Sequence, residues 1–95
     1  MFLEDYLNET NLDILYTNYS EDYIDSLDED NFIQIYNLFK EYKFYFIEDI
    51  IIYYLELFEY DEDDVRTKIL KLKEKLGDNF VNIIANDLSY IEEIL

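Results

Sequence analysis

The 95-residue chain contains no cysteine, no histidine and no proline, and it has a single glycine. Without cysteine there is no disulfide framework, no thiolate metal site and no thiol nucleophile. Without histidine the chain lacks the usual general base at neutral pH and the commonest metal ligand. Without a glycine-rich loop no backbone cradle for a phosphate group can form. We therefore predict that the protein is not an enzyme and that it uses no cofactor and no metal.

Two acidic segments superficially resemble calcium-binding loops, one beginning at Asp28 and the other at Asp61. Such a loop needs oxygen ligands at positions 1, 3 and 5 and a glycine at position 6. Position 5 is Phe32 in the first segment and Val65 in the second. Both segments fail this pattern. A carboxylate pair suited to glycoside hydrolysis would arise by chance among so many acids, so it carries little information.

The chain also lacks the features that direct a protein to a membrane. No apolar run reaches the roughly 20 residues that cross a bilayer. The N-terminal segment MFLEDYLNE is acidic, whereas a secretion signal begins with basic residues. We expect a cytoplasmic protein.

Residues that form tight turns are scarce in this chain. This scarcity favours helices, because antiparallel hairpins depend on glycine- and asparagine-rich turns. Half of the residues are hydrophobic, and the chain has 11 Tyr and 7 Phe, which is enough bulk for the core of one small domain. The sequence predicts an all-α fold, a single domain over 1–95. We expect a compact bundle of five to seven short helices.

The clearest helix is 62–76, in which Val65, Ile69 and Leu72 form one apolar stripe between an Asp61 cap and a Gly77 stop. The run FYFIEDIIIYYLELF, 44–58, is apolar on almost every side. It predicts a buried central helix near 44–59, although its β-branched and aromatic residues would also suit a strand. Other helices are expected at 2–9, 11–19, 21–27 with Ser20 as its cap, 31–42 with Asp30 as its cap, 79–87 with Asp78 as its cap, and from Ser89 onward.

The net charge of −17 comes entirely from an acidic part, 1–64, where 19 acids face only two bases, Lys40 and Lys43. The helical part 65–95 is charge-neutral, with five acids and five bases. A charge of magnitude about 2–8 is enough to keep a small domain in solution, so this one-sided excess predicts an acidic face. Such a face repels nucleic acid and anionic lipid, and it suits a basic protein surface.

The acids are concentrated in two clusters, within SEDYIDSLDED at 20–30 and within ELFEYDEDD at 56–64. On a helix, carboxylates three or four residues apart lie about 5–6 Å from each other, a spacing close to that of phosphates along one nucleic-acid strand. We expect Tyr23 and Tyr60 to be exposed aromatic anchors beside them, and Tyr16 and Tyr19 to be exposed as well. The predicted partner-binding residues are Glu21, Asp22, Tyr23, Asp25, Asp28, Glu29, Asp30, Glu59, Tyr60, Asp61, Glu62, Asp63 and Asp64.

With SEDYIDSLDED and YDEDDV on a small body without cysteine or histidine, the sequence resembles the small acidic inhibitors that phages use against host defence. Anti-CRISPR proteins and other DNA mimics belong to this class. The resemblance is one of composition and style over 1–64, without a shared motif. It implies an inhibitor that acts in the host cytoplasm and blocks the nucleic-acid channel of a nuclease or another nucleic-acid-processing enzyme, such as a CRISPR effector.

Three other interpretations remain open from the residues. The chain could be an immunity protein that neutralises a basic nuclease toxin, which relies on the same electrostatics. It could be a helical scaffold or regulatory subunit that docks through its charge-neutral C-terminal third. A solvated acidic surface that only prevents aggregation is the simplest alternative.

Overall fold

Every regular element of the chain is helical in the computed structural model, which describes all 95 residues and contains no strand. The predicted all-α bundle is therefore confirmed, and none of its helices is long and apolar enough to cross a bilayer. Three 3₁₀ helices span Phe2–Asp5, Leu55–Glu59 and Leu88–Glu93. The six α-helices are α1 (Glu9–Asn18), α2 (Glu21–Asp25), α3 (Glu29–Glu41), α4 (Ile47–Tyr53), α5 (Glu62–Leu76) and α6 (Phe80–Asn86).

Side-chain caps determine where the acidic helices begin. Ser20 Oγ accepts a hydrogen bond from the Tyr23 N–H at 3.2 Å, so the predicted cap of α2 is confirmed. Asp61 caps α5, which covers the predicted 62–76. The cap of α3 is Asp28, not Asp30 as predicted, because Asp28 Oδ1 accepts the Asn31 N–H at 3.1 Å. This helix therefore starts at Glu29 and has Asp30 in its first turn.

The predicted starts of the last two helices are each wrong by one residue. Asn79, not Asp78, lies at the start of α6, and its side chain makes no capping hydrogen bond. The last helix is a 3₁₀ helix that begins one residue before Ser89. Its cap is Asp87, whose Oδ1 accepts the Ser89 N–H at 3.2 Å and the Ser89 hydroxyl at 2.5 Å.

The central segment is buried and helical, as predicted, but it forms two helices where the sequence predicts one. α4 ends at Tyr53, and a 3₁₀ helix follows from Leu55. Such a break leaves backbone groups without intrahelical partners. Asn18 Nδ2 donates to the Ile52 carbonyl at 2.8 Å, and the Tyr19 hydroxyl accepts the Leu55 N–H at 3.0 Å. Two neighbouring residues at the end of α1 thus stabilise the break from both sides.

The core consists of hydrophobic side chains alone, 25 in number, and no polar or charged side chain is buried. Phe58 is buried in this core, and its ring centroid lies 4.8 Å from that of Phe32 and 6.0 Å from that of Phe39. These contacts pack the 3₁₀ helix Leu55–Glu59 along α3. Because the core takes no charge, every carboxylate of the chain is displayed on the surface or at its edge.

Candidate partner-binding surface

The fold brings the two acidic clusters together. We call residues 21–30 the first acidic cluster and residues 56–64 the second acidic cluster. Asn31, directly after the first cluster, donates from Nδ2 to the carbonyls of Phe58 at 2.6 Å and Tyr60 at 3.0 Å. The Tyr23 hydroxyl donates to a carboxylate oxygen of Glu59. The clusters therefore form one surface, which we call the joined acidic surface.

Helix starts account for much of the local concentration of acids. Nine of the eleven predicted contact carboxylates are N-caps or lie in the first turn of a helix. Acids at these positions are stabilised by the partial positive charge of the helix N-terminus, by about 0.3–1 kcal/mol each at the surface. The nine are Glu21 and Asp22 in α2, Asp28, Glu29 and Asp30 at α3, and Asp61, Glu62, Asp63 and Asp64 at α5. Asp25 and Glu59 do not lie at a helix start, so the helix N-terminus does not explain their positions.

Four of the predicted contact carboxylates already have partners within the chain. Asp28 and Asp61 are helix caps. Glu59 accepts from Tyr23, and Glu62 forms an ion pair with Arg66 at 3.4 Å. These four help to build the surface and are less free to meet a partner.

Seven predicted contact carboxylates are exposed and make no side-chain hydrogen bond or ion pair within the chain. They come from both clusters, so each cluster contributes carboxylates without an ion-pair partner to the joined acidic surface. The seven are Glu21, Asp22, Asp25, Glu29, Asp30, Asp63 and Asp64.

The two predicted aromatic anchors, Tyr23 and Tyr60, are half-buried rather than exposed. Tyr23 stacks on Tyr19 with ring centroids 5.6 Å apart, and Tyr19 is half-buried as well. The Lys68 ammonium lies over the Tyr60 ring, 5.7 Å from the ring centroid. The Tyr19–Tyr23 stack joins residues only four apart, but the contact of Tyr23 with Glu59 joins residues 36 apart and depends on the tertiary fold.

Tyr16, on α1 before the first acidic cluster, is exposed as predicted, with 45% of its surface accessible. Desolvation of its hydroxyl and the nearby charges of Glu21, Glu4 and Asp25 raise the pKa of Tyr16. The residue therefore stays neutral at physiological pH. It adds an aromatic contact surface among carboxylates.

Two carboxylates of the second acidic cluster are hydrogen-bonded to tyrosine hydroxyls and not to basic side chains. The Tyr19 hydroxyl donates to Glu56 at 2.6 Å, and Tyr23 donates to Glu59. Burial and these hydrogen bonds to carboxylates raise the pKa of both tyrosines well above the ordinary range. A neutral hydroxyl thus stabilises each carboxylate and leaves its negative charge uncompensated.

The bases of the charge-neutral third lie on α5 beyond the acidic first turn. Arg66 donates to Glu41 at 2.5 Å, and Lys75 pairs with Glu93 at 3.1 Å. An open cavity of about 130 Å³ is lined by Lys68, Lys71, Leu72, Lys75 and Glu93. Along α5, negative charge at the N-terminus gives way to positive charge near the C-terminus, which matches the helix dipole. No group of three or more carboxylates in the chain is arranged to hold a metal ion.

No protein-family model, no curated protein sequence and no solved structure matches the chain.

Proposed function

We propose that the protein is a non-enzymatic inhibitor that occupies the nucleic-acid-binding groove of a nuclease or another host-defence enzyme, such as a CRISPR effector. The observation that supports this proposal best is the meeting of the two acidic clusters through Asn31 and Tyr23. Helix capping explains why acids lie at individual helix starts. It does not explain why two helix starts full of unpaired acids lie side by side.

The charge density of the molecule is close to that of the ligand it would replace. A net charge of −17 over a longest dimension of 37 Å corresponds to about one charge per 2 Å. Duplex DNA carries about one charge per 1.7 Å of helix axis. A basic groove focuses its field on such a body, which speeds association by about 10- to 1,000-fold.

A competitive elution experiment tests the proposal and identifies the target in the same step. A bacterial lysate is bound to DNA-cellulose at low salt, and the column is washed with the purified protein at constant ionic strength. We expect the protein to release specific nucleic-acid enzymes, which mass spectrometry identifies. The affinity of the protein for a released enzyme, measured separately, should weaken steeply as salt is raised, because screening shortens the range of surface charges to about 8 Å at physiological ionic strength.

Two double variants with the same net charge test whether the joined acidic surface or only the total charge of the protein is responsible for the eluting activity. Asp25→Lys/Asp64→Lys removes one free carboxylate from each cluster. Glu74→Lys/Asp78→Lys makes the same charge change in the charge-neutral third, where both side chains are exposed. We expect only the first variant to lose the eluting activity. Equal activity of the two variants would show that total charge alone acts, as in an acidic surface that only prevents aggregation.

The identity of the released protein distinguishes the alternatives. A nuclease toxin would favour an immunity protein, whereas a guide-loaded effector would favour an anti-CRISPR inhibitor. A partner captured with an affinity that does not change with salt would instead favour a scaffold that docks through the charge-neutral third.

A further inference from the structure

We propose that Asn31 is a positioning residue that holds the two acidic clusters in a fixed relation; this inference rests on the proposed function. Asn31 lies in the first turn of α3 and is half-buried. Its backbone N–H donates to the Asp28 cap, and its side-chain amide donates to the carbonyls of Phe58 and Tyr60. One residue thereby connects the start of α3 with the segment that leads directly to the Asp61 cap of α5.

The two carbonyls depend on this one side chain. Neither the Phe58 carbonyl nor the Tyr60 carbonyl accepts a hydrogen bond from a backbone N–H. Both lie where the 3₁₀ helix Leu55–Glu59 ends and α5 has not yet begun, and the backbone has no regular pairing there. The Asn31 amide is therefore their only donor within the protein.

Such a connection is needed because the clusters repel each other. The two linked clusters together carry seven exposed carboxylates that have no ion-pair partner within the chain. Arg66, the base nearest to the second cluster, is engaged by Glu41 and Glu62. Tyr23 supplies the other link between the clusters, through Glu59. A surface that is already arranged needs little reordering on binding, and this raises affinity.

A pair of isosteric variants distinguishes the positioning role of Asn31 from the effect of an added negative charge. Asn31→Asp keeps the size of the side chain and adds one negative charge, but a carboxylate cannot donate to the two carbonyls. Asn37→Asp adds the same charge on the same helix, where Asn37 is exposed and makes no side-chain hydrogen bond. If charge alone governed binding, both variants would bind a basic probe as well as the unchanged protein or more tightly.

The first measurement requires no partner. The chain has no cysteine, so nitroxide labels can be attached cleanly to Asp22→Cys and Asp64→Cys, one in each cluster. We expect a narrow distribution of label–label distances, broadened or shifted to longer distances by Asn31→Asp and unchanged by Asn37→Asp. A distribution that Asn31→Asp leaves unchanged would overturn the inference.

The second measurement uses the proteins without nitroxide labels. Their binding to a fluorescein-labelled 20-residue oligolysine is measured by fluorescence anisotropy at low and at moderate salt. We expect Asn31→Asp to bind roughly three- to tenfold more weakly than Asn37→Asp despite its equal charge, because preorganisation is lost. Equal affinities would overturn the positioning role, and salt-sensitive binding by the unchanged protein would leave the proposed function standing. An unchanged protein that does not bind the probe at low salt would overturn both proposals.

A second pair of variants covers the case in which Asn31→Asp does not fold. Tyr23→Phe removes the other link without a change of charge, and Tyr53→Phe is its control, since Tyr53 is exposed and makes no hydrogen bond through its hydroxyl. Weaker probe binding by Tyr23→Phe alone supports a fixed arrangement of the clusters. Equal binding by the two variants contradicts it.

Discussion

The Tyr19 hydroxyl links α1 to the break in the central segment, and its removal gives a sharp test of how that break is stabilised. Tyr19→Phe deletes one oxygen and preserves the ring that stacks on Tyr23. The oxygen donates to Glu56 at 2.6 Å and accepts the Leu55 N–H at 3.0 Å. The substitution therefore leaves a carboxylate without its donor and a backbone N–H without its acceptor.

The expected cost follows from these two contacts. A hydrogen bond to a charged group contributes about 1.5–3 kcal/mol, and an unsatisfied backbone donor costs about 1–3 kcal/mol. Because Tyr19 and Glu56 are only half-buried, water replaces part of the loss, and we expect a net cost of about 2–3 kcal/mol. A domain of this size has a total stability of about 5–14 kcal/mol. The melting temperature should fall by roughly 10–20 °C.

Urea and thermal unfolding followed by circular dichroism at pH 7 measure this cost. Tyr53→Phe is the matched control and should change the free energy of unfolding by less than about 0.5 kcal/mol. Glu56→Gln, which retains an acceptor but removes the charge, should fall between the two. A Tyr19→Phe variant as stable as the Tyr53→Phe control would refute this explanation of the break between α4 and the 3₁₀ helix.

Two further predictions concern backbone strain and pH. Gly77 has φ 86°, and a methyl group added there would meet no heavy atom within 4 Å. Gly77→Ala should therefore cost about 1–3 kcal/mol from backbone strain alone; a cost near zero in urea unfolding would contradict this. Because Tyr19 and Tyr23 have folded-state pKa values raised above their unfolded value of about 10, they contribute stability that is present below about pH 10 and is lost as pH rises further. Unfolding measured from pH 9 to 11.5 should therefore show a steeper decline for the unchanged protein than for Tyr19→Phe/Tyr23→Phe, and parallel declines would contradict the assignment.

Sequence patterns predicted α5 completely because all its signals are local. The Asp61 cap, the buried stripe of Val65, Ile69 and Leu72, and the Gly77 stop all lie within or directly beside the helix. The cap of α3 was misplaced by two residues because the sequence offers Asp28 and Asp30 as equivalent candidates. Only the geometry of the Asn31 N–H, which meets Asp28 Oδ1, distinguishes between them.

The candidate surface was predictable in composition but not in arrangement. The residues of both acidic clusters can be read from the sequence, and so can the charge-neutral character of 65–95. The roles of individual members could not be read, because Glu62 pairs with Arg66 and Glu59 accepts from Tyr23 through contacts that depend on the fold. The exposure of Tyr23 and Tyr60 was predicted wrongly for the same reason.

The amino-acid sequence by itself determined that this chain is helical, that its core is built from aromatic and aliphatic side chains, and that its negative charge comes from residues 1–64. These properties follow from composition and from periodicity over a few residues. The tertiary structure alone decided that α4 stops at Tyr53 and that the two acidic clusters share one surface. Both outcomes depend on hydrogen bonds that the side chains of Asn18 and Asn31 donate to backbone carbonyls, and that the Tyr19 hydroxyl accepts from a backbone N–H, across 27 to 36 residues. No local pattern specifies such contacts, since they form only when the packed core brings these segments together.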